Sequence, residues 1–339
     1  MIMVWEEIKK TFNRWTFLVL FILFAIHIIM CAREYADRET FYEDYYEMFG
    51  EFQGPLDEEK VKEIEKVIED TQGLMAREME ESIDYVMLDR ENRDFVIQYG
   101  WEPLLLRSGT DYLLIFALII IAAIVFSSEC NNDMMLLLMS SKEGRKKQWV
   151  RIGGVLLLTG VTSIIYYLIK CGFIIKEYKL TGWDLSAKSL SFCAYYPYDF
   201  SLLEVTLITY GCKVLGCIYV VLITMFILQL TKKIHLASLV PVAILVVLER
   251  VFEEQEYLLI PLPRALFSSG INLKHMRAAD YGKRYLDTSG IAVRPDEFEM
   301  VIAFSILFMM VLIVGTYFAY INNYKKNWRC RIWRKIKKS

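Results

Sequence analysis

The chain is poor in the residues from which soluble active sites are usually built. It has only three histidines in 339 residues, which argues against a His-based metal centre or a catalytic triad. Its seven cysteines (Cys31, Cys130, Cys171, Cys193, Cys212, Cys217 and Cys330) are odd in number and irregularly spaced. They form no Cys-x-x-Cys pair, so neither a disulfide framework nor a zinc site is indicated. No Gly-x-x-x-x-Gly-Lys-Ser/Thr stretch occurs to cradle nucleotide phosphates. The acid pair Glu253 and Glu254 lacks the arginine that follows it in one class of membrane protease, because Leu258 stands there. Nothing here points to an enzyme, a bound cofactor or metal, or a nucleic-acid partner.

Apolar residues are what the chain has in excess. They make up 55% of it, above the 45–50% or so of ordinary soluble domains. They gather into six runs: Trp15–Cys31, Tyr112–Ser128, Ile152–Ile169, Val205–Leu230, Leu236–Phe252 and Phe298–Ile321. Runs of this length are read as membrane-crossing helices. The first has a basic start like a signal peptide but no small-x-small cleavage site after it, so it is read as an uncleaved span. Pro241 inside the fifth run suggests a kink.

Charge is sorted between the runs. Residues 33–111 carry 23 Asp/Glu against nine Lys/Arg, as expected of an outer loop. Asp57, Glu58 and Glu59 after Gly54-Pro55 mark a helix start, and apolar residues from Val61 to Met87 recur near a 3.6-residue period. Two helices broken near Gly73 are expected, forming a small outer domain. Its acidic, aromatic surface would suit cationic peptides, although a solvated helical pair is the simpler reading. Arg145, Lys146, Lys147 and Arg151, the turn Lys232-Lys233, and the eight Lys/Arg of the tail 322–339 mark the opposite, cytoplasmic side. Six crossings put every basic cluster and both termini on that side.

The sequence is therefore read as an all-α, polytopic membrane protein with six transmembrane helices, an outer helical hairpin domain and a cytoplasmic coupling helix. Residues 1–32 form an amphipathic segment and the first span, and 33–111 the extracytoplasmic domain. Residues 112–252 hold spans two to five. Residues 253–297 form an extracytoplasmic segment, re-entrant or interfacial, and 298–339 the last span and basic tail.

The connection between spans two and three is the most informative stretch. Met134, Leu137, Leu138 and Ser141 share one helical face. Asn131, Asn132 or Asp133 can cap its start, and Gly144 is a natural stop. Such a helix either anchors two spans at the interface or docks into a groove on a soluble motor. Its residues resemble permease subunits of type-2 ABC exporters. Glu129 matches the family's leading acid, Leu136 to Met139 its apolar helix, Ser140 or Ser141 with Arg145 its turn, and Arg151 its basic residue opening the third span. Asp133-Met134 stands where the family has Gly-Thr, and Lys142 or Glu143 replaces its usual proline.

That resemblance implies a transport subunit without its own ATPase site, in a bacterial cytoplasmic membrane. ATP would be bound by a partner chain, an ABC ATPase subunit. A second permease chain, identical or paralogous, would complete a dimer surrounded by membrane lipids. The coupling segment 129–148 would place Met134, Leu137 and Leu138 in the ATPase groove. Glu129 and Arg145 would orient it, and Arg151 would fix the depth of the third span. The cargo would be hydrophobic or amphipathic: a drug, a peptide or a lipid-like compound. Lys213, eight residues into the fourth run, either faces this path or snorkels outward on its long stem. The competing reading is a non-transport sensor or scaffold with a ligand-binding outer domain.

Overall fold

The computed structural model describes residues 13–35, 46–71, 74–89, 91, 93–98, 100–105, 111–130, 142–193, 199–251, 266–267 and 295–336. They are overwhelmingly helical, and no strand occurs among them; the bridges Gly54–Phe95 and Ser186–Ser201 stand alone. Among the described residues nine α-helices follow in order: α1 (Arg14–Tyr35), α2 (Glu58–Asp70), α3 (Leu74–Met87), α4 (Trp101–Leu105), α5 (Tyr112–Cys130), α6 (Lys142–Tyr178), α7 (Leu202–Thr231), α8 (Ile234–Val251) and α9 (Pro295–Ile336).

Among the described residues four stretches are long and apolar enough to cross a membrane: Arg14–Glu34, Lys146–Tyr178, Leu202–Thr231 and Ile302–Asn322. Tyr112–Phe126 and Ile234–Val246 are shorter apolar stretches of α5 and α8. Large apolar side chains point outward from the long helices, among them Phe21 and Ile29 on α1, Leu168 on α6, Leu207 on α7 and Leu307 and Phe318 on α9. In water such faces would be costly; in a bilayer they meet acyl chains.

Helix α7 is the centre of the bundle, packing against α5, α6, α8 and α9, while α1 lies on α5 and α6. Its ends are set locally. Ser201 Oγ accepts from the Glu204 amide at 3.3 Å, and Glu204 Oε2 accepts from the Ser201 amide at 2.8 Å, a reciprocal capping box. Lys232 ends the helix in the left-handed region, at φ 58°. Buried threonines return their protons to the carbonyl four residues back: Thr206 to Leu202 at 2.7 Å, Thr224 to Val220 at 2.9 Å, Thr159 to Val155 at 2.8 Å and Thr316 to Leu312 at 2.7 Å. Where no water reaches, this is the cheapest way to satisfy a hydroxyl.

Gly216, midway along α7, makes room for an aromatic ring. A Cβ added there would stand 2.9 to 3.1 Å from three ring carbons of Phe267. Leu266 and Phe267 are both buried in the bundle. Among the described residues nothing stands within 4 Å of a Cβ added at Gly153 or Gly211. Gly216→Val is expected to expel the Phe267 ring and lower stability by about 1–3 kcal/mol, as overpacking does; an unchanged unfolding midpoint would refute that contact.

A smaller lobe sits at the end of the bundle where α7 begins. Asp57 caps α2, accepting from the Lys60 amide at 2.8 Å. Ile64 of α2 and Met79, Ile83 and Val86 of α3 form a separate core with Phe49, Leu56, Phe95 and Ile97. The lobe is tied to residues 180–191 by polar contacts. Tyr85 Oη donates to the Lys188 carbonyl at 2.7 Å, the Asp94 amide to Ser189 Oγ at 2.9 Å, and Ser191 Oγ to Gln98 Oε1 at 2.7 Å.

One boundary differs from expectation. Gly144 ends no helix; it lies in the first turn of α6, which begins at Lys142 and runs unbroken to Tyr178. Glycine is only a mild cost inside a helix, and the apolar run beyond it propagates the helix through that position.

Candidate functional site

One set of polar residues inside the bundle lines a seam between α6 and α7. Ser163, Tyr166, Tyr167, Lys170 and Cys171 recur at offsets of three, four, seven and eight, which is one face of α6. Tyr210, Lys213 and Cys217 form the matching face of α7. His27 and Cys31 come from α1, and Asp111 from the residue before α5.

Lys213 is completely buried, at 0% exposure. Its ammonium lies 5.4 Å from the ring centre of Tyr210 and 5.7 Å from that of Tyr167. Desolvated cation–π contacts are worth about 2 kcal/mol and offset part of the cost of a charge at this depth. Lys170 Nζ donates to Asp111 Oδ1 at 3.2 Å, with both side chains only 14% exposed. Tyr210 Oη donates to the Leu104 carbonyl at 3.0 Å. His27 stacks on Tyr166 with ring centres 3.5 Å apart, and its Nε2–H donates to the Tyr166 carbonyl at 3.1 Å. Asp111 Oδ2, Ser163 Oγ and Tyr167 Oη are buried with no nitrogen or oxygen partner among the described residues; the two hydroxyls lie against the Cys217 thiol.

A second constellation stands at the other end of α6. Arg151 is buried, with its guanidinium 5.9 Å from the Phe126 ring of α5. Trp149 stacks on Tyr317 of α9, centres 4.8 Å apart and planes 28° from parallel. Gln148 is buried beside them. The first turns of α6 are thereby clamped to both α5 and α9.

The residues expected from the sequence fall unevenly on this frame. Arg151 lies in the second constellation and Lys213 in the first. Glu129 is in the last turn of α5 and Arg145 in the first turn of α6. Met134, Leu137 and Leu138, together with the whole connection 131–141, lie outside the described residues, as does most of the 253–297 segment. Asp111, Ser163, Tyr167, Trp149 and Tyr317 were missed. The polar spacing along the third run was a readable signal for the seam, whereas nothing local singles out Trp149 or Tyr317.

No group of three or more metal-binding side chains occurs among the described residues. Outside the spans, burial alone pushes the Cys193 thiol well above its ordinary value, so it stays protonated and inert.

These features define a helical protein with four helices fit to cross a membrane and a polar seam inside the bundle. Comparison with known proteins adds no nearer identity, since no family model, curated protein or solved structure matches the chain.

Proposed function

We propose that this chain is the membrane-spanning permease subunit of an ATP-driven exporter resembling the type-2 ABC kind, moving a hydrophobic or amphipathic molecule across a bacterial cytoplasmic membrane. A separate ATPase chain binds the nucleotide, and a second permease chain completes the path. The reading takes α5 and α8 as crossings too. At 19 and 18 residues they rise about 28 and 27 Å, close to the roughly 30 Å hydrocarbon core. Six crossings then bring the Arg145–Arg151 cluster, the Lys232-Lys233 turn and the basic tail to the cytosol, and the acidic lobe to the outside.

The observation that carries the reading is the clamp at the start of α6. The 131–141 connection leads straight into a helix tied to α5 through Arg151 and Phe126 and to α9 through Trp149 and Tyr317. A push on that connection would reach three spans at once, as a coupling element requires.

The test is co-purification in mild detergent. The chain is expected to bring down a P-loop ATPase. Leu138→Glu would put a charge in the docking groove, and losing such an anchor costs about 2 kcal/mol or more, roughly thirtyfold in affinity. Retention of both the ATPase and export by that variant would sink the proposal. Protease added to intact cells is expected to cut the lobe and spare the tail; the reverse pattern would invert the topology.

A further inference from the structure

We propose that the α6–α7 seam is a binding subsite for an oxyanion, a phosphate or carboxylate carried as the head of an amphiphile. As a step in export this rests on the reading above; as a binding site it stands on geometry alone.

Hydroxyl satisfaction is the first argument. Four buried threonines of the bundle hand their protons to the carbonyl one turn back, whereas Ser163 Oγ and Tyr167 Oη have no such acceptor among the described residues. Two buried hydroxyls on one helix face that meet only the Cys217 thiol, a weak acceptor, gain from a bound group whose oxygen accepts from them.

Charge is the second. Among the described residues the seam brings together two ammonium groups, Lys170 and Lys213, and one carboxylate, Asp111, within electrostatic reach of each other. Asp111 already gives one oxygen to Lys170. An incoming oxyanion would meet the Lys213 ammonium and both hydroxyl donors, which are charge-assisted contacts of the stronger kind. The remaining Asp111 oxygen, buried and without a partner among the described residues, disfavours a second charge of its own sign nearby and restricts the anion to the Lys213 side.

The surroundings supply the third. Lys213 lies eleven residues after the start of α7, about 16 Å along its axis, so an anion there is deeper than a headgroup. The neighbouring outward faces carry Leu168 and Leu207, both highly exposed, along which an attached hydrocarbon chain can lie. The site thus favours a charged head on an apolar tail, rather than the cationic peptide that the acidic outer domain suggested.

The test uses the purified full chain in dodecyl maltoside with radiolabelled dodecyl phosphate as probe. Saturable binding is expected. Lys213→Met should weaken it about thirtyfold and Lys213→Arg much less, while Ser163→Ala and Tyr167→Phe should each weaken it about three- to tenfold. Dodecyltrimethylammonium should not compete. If inorganic phosphate competes as well as dodecyl phosphate, and with the same dependence on Lys213, the oxyanion is a soluble one; if it does not, the apolar tail is required. Absence of saturable binding, equal competition by the cationic amphiphile, or unchanged affinity in Lys213→Met would overturn the proposal. Should Lys213→Met fail to fold, unchanged affinity in the Ser163→Ala/Tyr167→Phe double variant overturns it equally. No ATPase enters the titration, so its outcome is separate from that of the coupling test.

Discussion

Asp111→Ala is expected to destabilise the bundle by about 3 kcal/mol, the lower end of the cost of removing one partner from a buried ion pair, since this pair is mostly but not fully buried. The carboxylate holds Lys170 at 3.2 Å, and its opposite charge also acts on Lys213. Its removal takes the carboxylate from Lys170 and leaves the like charge of Lys170 acting on Lys213. Lys170→Met should cost less, because Asp111 then still has Lys213 as a counter-charge. The double variant Asp111→Ala/Lys170→Met should fall short of the sum of the two, since the residues share one interaction. Reversible unfolding in mixed micelles measures all three. If Asp111→Ala and Lys170→Met prove equal and additive, the three charges act independently and the seam is not a coupled unit.

Trp101→Ala is expected to cost a similar amount, about 3–5 kcal/mol, as a large aromatic removed from a packed site. Trp101 is fully buried in the five-residue helix α4 and meets Trp183 edge-on, with ring centres 4.8 Å apart. Directly before it, Gly100 has no room for a side chain: an added Cβ would stand 2.3 Å from Leu180 Cδ2 and 2.7 Å from the Tyr178 Cβ. The backbone is therefore pressed against the end of α6, and the surroundings cannot readily collapse into the space the indole leaves. The indole N–H has no partner among the described residues, so Trp101→Phe should be much milder because it keeps most of the ring volume and removes that unmatched donor. Thermal unfolding of the detergent-solubilised chain separates the two variants. Equal losses would mean that the indole nitrogen, and not the ring volume, carries the stabilisation.

Both variants act where the lobe joins the bundle, and the same region bears on mechanism. Residues 180–191 are gripped from one side by Tyr85, Asp94 and Gln98 and lead on the other into the capping box of α7. α7 carries Lys213 and packs against α5, α6, α8 and α9. The lobe therefore shares polar contacts with the segment that packs on the start of α7, the helix that carries Lys213.

The sequence by itself determined where the long helices run. Lipid demands about twenty consecutive apolar residues, a property of the chain in one dimension, so α1, α6, α7 and α9 were legible from composition alone. The caps at Asp57 and the break between α2 and α3 were legible too, because they depend on residues within one turn of each other. The positive cluster around Arg151 could likewise be read, although not that its guanidinium would lie buried against Phe126. Only the tertiary structure decided which polar groups meet. Asp111 and Lys170 are 59 residues apart in sequence, and His27 and Tyr166 are 139 apart. Helical periodicity tells which side chains share a face, but not which face of which neighbour they will find. That choice is made when α6 and α7 pack together, and it turns scattered serines, tyrosines and lysines of two apolar runs into one buried seam.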